Sequence, residues 1–81
     1  MINTWRDILD MIEIQGYVHL EGRWYFLHND LLVHVRPDSD WHAKYIILKD
    51  RRYFESTTDV PKELIPSFKI RVDQYKMLEL L

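Results

Sequence analysis

Two short turn signals, Glu21-Gly22 and Asn29-Asp30, divide the stretch from Tyr17 to Arg36 into three segments of strand length. Gly enters left-handed backbone without a steric penalty, and Asn and Asp tolerate it, so each pair suits a two-residue hairpin turn. Such turns join antiparallel neighbours and fix their register. The period of two along a strand then assigns every side chain to a face. One face collects Tyr17, His19, Trp24, Phe26, His28, Leu31, Val33 and Val35. The other collects Val18, Leu20, Arg23, Tyr25, Leu27, Leu32, His34 and Arg36.

The first set is expected to form the core under the helices. The second is too apolar for an ordinary wetted face. Val18, Leu20, Tyr25, Leu27 and Leu32 form either an interaction patch or the floor of a third layer. In the layered arrangement the C-terminal helix covers this face and the N-terminal helix the other.

The alternation continues beyond Arg36. Pro37-Asp38-Ser39-Asp40 reads as a loop, Trp41 to Leu48 as a fourth strand, Lys49-Asp50-Arg51 as a turn and Arg52 to Ser56 as a fifth strand. Tyr45-Ile46-Ile47-Leu48 is rich in residues that suit a pleated, half-buried surface.

Helices flank the strands. Trp5, Ile8, Leu9 and Ile12 fall at i, i+3, i+4 and i+7, which predicts an amphipathic helix over 4–15. Thr4 can cap it, with Asp7 placed to reach back, and Gly16 ends it. On the C-terminal side, Thr58 or Asp59 can cap a helix and Pro61 fits its first turn. Pro66 then interrupts. The spacing predicts a short helix at 60–65 and a longer one at 67–80, the latter carrying Phe68, Val72, Tyr75 and Leu78. Phe68-Lys69-Ile70-Arg71-Val72 also alternates, so a sixth strand is the competing assignment. The expected fold is one α+β domain over residues 1–81: an N-terminal helix, an antiparallel β-meander of four to five strands and a C-terminal helix.

The chain has no Cys. It therefore has neither disulfides nor thiolate metal ligands, which favours a reducing, cytoplasmic setting. The N-terminus lacks a basic segment followed by an apolar core, and no run approaches the ~20 apolar residues of a membrane span. Net charge is −2, which argues against a general nucleic-acid binder. Charge is unevenly spread. Residues 23–52 carry six basic and four acidic side chains, the one stretch with a basic excess.

No pattern announces catalysis. The four His lack the spacing of zinc sites. Asp38, Asp40 and His42 alternate in a loop, but Ala43 and Lys49 stand where a calcium loop needs Gly and a bidentate Glu. Ser39, Ser56 and Ser67 lie outside any nucleophile elbow. The sequence thus points to a non-enzymatic protein with no metal and no cofactor.

What remains is Arg and aromatic surface. Lys49, Arg51 and Arg52 surround one turn, with Tyr53 after it. Trp, Tyr and Arg are the usual anchors of protein interfaces. The expected function is a small protein-interaction module of inhibitor or adaptor type, of the sort phages and mobile elements encode. It would use Trp41, Tyr25, Arg36, Arg51, Arg52 and Tyr53 on its partner and dimerise through a sheet face or edge. The alternative is a small-ligand or nucleotide binder in which Arg23, Arg36 and Tyr25 line a shallow site on the sheet.

Overall fold

A computed structural model of the chain describes residues 2–38 and 41–81. Local hydrogen bonds set the first element. The Thr4 hydroxyl accepts the Asp7 N–H at 3.2 Å, while the Asp7 carboxylate accepts the N–H groups of Asn3 and Thr4 at 3.0 and 3.2 Å. This reciprocal cap satisfies donors that the first helical turn leaves unpaired, and helix α1 (Trp5–Gln15) follows. Gly16 closes the helix at φ 95°, donating its N–H to the Ile12 carbonyl.

Five strands come next: β1 (Val18–Leu20), β2 (Arg23–His28), β3 (Leu31–Arg36), β4 (His42–Lys49) and β5 (Tyr53–Asp59). They form one antiparallel sheet in sequence order. Glu21, Gly22, Asn29 and Asp30 all have positive φ, as two-residue primed turns require. Val18 therefore pairs with Tyr25, Tyr25 with His34, and Phe26 with Val33. The two face sets read from turn lengths are the ones the register produces.

The layers differ from expectation. Ile8, Leu9 and Ile12 of α1 pack on Val18, Tyr25, Leu32 and Ile46, so the second face is a core and not an exposed patch. Helix α2 (Ile65–Glu79) places Phe68 and Val72 on the other face, against Tyr17, Trp24, Phe26, Val33 and Val35. The helices thus lie on the opposite sides from those expected. Side-chain size matches this arrangement. Trp24 and Phe26 meet the rings of Tyr75 and Phe68 on α2, whereas α1 sets Ile8, Leu9 and Ile12 against the smaller Val18, Leu32 and Ile46, with Trp5 reaching Tyr25.

The C-terminal elements also shift. β5 runs on to Asp59, because Thr57 and Thr58 pair with Ile46 and Tyr45, and Asp59 takes the Lys44 ammonium instead of capping a helix. A single 3-10 turn, Lys62–Leu64, leads directly into α2. Pro66 sits in the first turn of α2, where its missing N–H costs no hydrogen bond, so it opens the helix. The competing strand at 68–72 would bury Phe68, Ile70 and Val72 together. Phe68 and Val72 are buried while Ile70 is 59% exposed, as helical spacing demands.

β5 forms one edge of the sheet and is exposed along all seven residues. Its register slips between Ile47 and Leu48, which pair with Ser56 and Phe54, so Glu55 is the extra residue of a bulge. A bulge with a charge on it is a common way to discourage edge-to-edge pairing.

Candidate partner-binding site

The turn between β4 and β5 is closed by the Arg52 N–H on the Lys49 carbonyl at 3.0 Å. Its two central residues, Asp50 and Arg51, have φ 54° and 58°. The other two hairpins place Gly22 and Asp30 at the second central position. Here that position holds Arg, whose Cβ costs about 1 kcal/mol in left-handed backbone. Among the described residues, neither the Arg51 nor the Arg52 side chain forms an ion pair or hydrogen bond. The left-handed position thus carries a guanidinium that has no partner among the described residues.

Two exposed aromatics follow the turn on opposite faces of β5, Tyr53 across from Lys49 and Phe54 across from Leu48. Tyr53 is 62% and Phe54 54% exposed. The Phe54 ring stacks on Trp5 of α1 at 6.2 Å, and Trp5 meets Tyr25 edge-on at the same separation. An open cleft of about 340 Å³ separates the turn from α1, with Asp50, Arg51 and Arg52 on the turn side and Arg6, Asp10 and Glu13 on the helix side. Among the described residues, Asp10 and Glu13 form no ion pair with these arginines.

The expected contact residues do not all meet. Arg51, Arg52 and Tyr53 come together as described. Arg36 lies at the far end of the sheet, ~23 Å away along β4 at ~3.3 Å per residue, where it stands beside Arg23. Tyr25 is withdrawn from both proposed sites, because α1 covers it to 7% exposure. Trp41 is half-buried against the α2-side core, with the Lys69 ammonium 5.4 Å above its ring. Phe54 and Trp5 joined the surface without being singled out from sequence. Trp5 was absorbed into the apolar stripe of α1, and Phe54 reaches it because it pairs with Leu48 on the face that α1 covers.

The histidines serve different ends. His19 pairs with Glu79, and His42 with Asp38 at 3.4 Å. His34 stacks on Tyr25 at 4.9 Å, and its buried Nε2 has no hydrogen-bond partner. Burial, with the charges of Arg23 and Arg36 added, pushes its pKa down to about 4. Asp40, part of the Asp38–His42 loop pattern, lies outside the described residues. Among the described residues no three His, Cys, Asp or Glu side chains are placed to hold a metal ion, and no helix is long and apolar enough to cross a membrane.

No protein-family model, curated protein or solved structure matches this chain.

Proposed function

We propose that this chain is a protein-interaction module that acts by binding, as an inhibitor or adaptor, through the β4–β5 turn and the start of β5. The observation that carries this reading is Arg51: a strained, unpaired guanidinium at the tip of a hairpin, beside two exposed aromatic rings. Strain held without local compensation is a mark of functional positions, and Arg with Tyr or Trp is the usual chemistry of interface hot spots. Trp5, Arg51, Arg52 and Phe54 form the contact surface on the α1 side, and Tyr53 extends it round the exposed edge strand to the other face. Its partner is a protein surface that offers carboxylates to the arginines and apolar pockets to Tyr53 and Phe54.

The test is affinity capture from nuclease-treated source lysate, comparing the wild type with an Arg51→Ala/Arg52→Ala double variant. A stoichiometric protein retained by the wild type and lost by the variant supports this surface. Equal capture by both moves the interface elsewhere, and capture by neither removes this reading.

A further inference from the structure

The opposite end of the sheet holds a second, independent arrangement of arginines. Trp24 pairs with Val35, so Arg23 and Arg36 are the next residues across the same two strands, with their side chains on the same face. Directly opposed positions have Cβ atoms ~5 Å apart, and like charges there repel. Both side chains are exposed, and among the described residues neither forms an ion pair or hydrogen bond. The carboxylates of Glu21 and Asp38 line the same recess as the two arginines. Asp38 is held by His42 at 3.4 Å, and Lys44, one row inward, is engaged with Asp59.

The two arginines border an open recess of about 220 Å³ that Glu21, Gly22, Pro37 and Asp38 also line. Behind it on the same face, His34 stands opposite Tyr25 and Lys44. Its Nε2 lacks a partner, and its imidazole is held neutral by burial and by these same two arginines.

We propose that Arg23 and Arg36 form a clamp for the phosphoryl group of a small ligand. Each guanidinium presents a planar fork of donors that fits two oxygens of one anion. A carboxylate satisfies one fork. A phosphate dianion has oxygens for both, and its charge cancels the repulsion that the register imposes. Trp24 and Tyr25, the nearest rings on which a base could stack, are both buried, so the phosphoryl group is the recognised part. With a net charge of −2, the chain gives no support to binding a long polyanion. The clamp lies apart from the β4–β5 turn and does not depend on the reading of that surface.

Titration calorimetry and histidine NMR with inorganic phosphate and with ADP test the clamp, using chloride at matched ionic strength as the control. The expected result is saturable one-to-one binding that weakens about tenfold or more in both Arg23→Gln and Arg36→Gln, as loss of one charged fork implies. Lys62→Gln, an exposed cation in the 3-10 turn before α2, should bind as the wild type does. The pKa of His34 should rise on binding, since the anion offsets the two cations beside it; general salt binding elsewhere would not move it selectively. Tighter binding of ADP identifies a nucleotide, and equal binding identifies free phosphate. Absence of saturation by either ligand, or binding unchanged in both clamp variants, overturns the proposal.

Discussion

Glu79, in the last turn of α2, holds its carboxylate 3.0 Å from Nδ1 of His19 on β1, and that imidazole lies on Trp24 with ring centres 3.7 Å apart. Sixty residues separate the pair in sequence, so the contact ties the C-terminal turn to the first strand. Tyr17 belongs to the same group: its ring stacks on Tyr75 at 4.5 Å, and burial, followed by the charge of Glu79, raises the pKa of its hydroxyl.

Glu79→Gln should loosen this turn without unfolding the domain. Both partners are about a third exposed, and pairs of that kind contribute roughly 0.2–1 kcal/mol. Hydrogen exchange should accelerate at residues 76–79 and stay unchanged in α1. Uniform acceleration across the chain would mean that the contact supports the whole fold.

Arg51→Gly should stabilise the protein while removing its capture activity. Glycine relieves the left-handed strain at φ 58°, worth about 1 kcal/mol and a rise in Tm of roughly 4–8 °C for a domain of this size. Thermal melts read the first effect and the capture assay the second. A lower Tm would show that the guanidinium supports the hairpin and that the strain at Arg51 is compensated locally.

Much of this architecture was legible because it depends on local rules. Turn pairs of two residues determined the register from Tyr17 to Arg36, and Thr4, Asp7 and Gly16 marked the ends of α1. The choice of helix for each face was not legible, since both sets are apolar and the choice rests on which rings meet across the layers. The bulge at Glu55 was hidden as well. Nothing in Tyr-Phe-Glu-Ser announces it, and it changes the register between the turn and the rest of β5. Of the expected contact residues, Arg51, Arg52 and Tyr53 are adjacent in sequence and so stayed together. Tyr25 and Trp41 were decided by tertiary packing, which a strand-by-strand reading does not include.

Phe68→Ala and Ile70→Ala should differ sharply although the residues are two apart. Phe68 is fully buried, with its ring edge-on to Phe26 at 5.2 Å, and truncating such a ring costs roughly 3–5 kcal/mol. That is much of the ~5–15 kcal/mol that small domains possess. Ile70 faces outward, and its truncation should change stability by less than about 0.5 kcal/mol. Urea melts of the two variants measure this. Equal losses would restore the alternating strand over 68–72.

Acid should destabilise the protein before its carboxylates titrate, and His34 is the cause. Its folded-state pKa is about 4, set first by burial and then by Arg23 and Arg36, whereas an unfolded His titrates near ~6.5. Between these values the unfolded chain takes up a proton that the folded chain refuses, so stability is full above about pH 6.5 and falls as the pH drops toward 4. Below that both states are protonated and the loss levels off. A gap of this size corresponds to at most ~3 kcal/mol. Because the ring is only partly enclosed, roughly 1–2 kcal/mol is expected after allowing for solvent screening. Lys44 also faces the ring from β4, but Asp59 engages its charge. Asp7 is held low by the N–H of Asn3 and the hydroxyl of Thr4, and Asp59 by Lys44. Their contributions are therefore lost only below about pH 4, outside this window. Urea melts at several pH values between 7 and 4 should show the decline in the wild type and a flatter profile in His34→Gln. Parallel profiles for the two proteins would assign the acid sensitivity to other groups and remove His34 from the account.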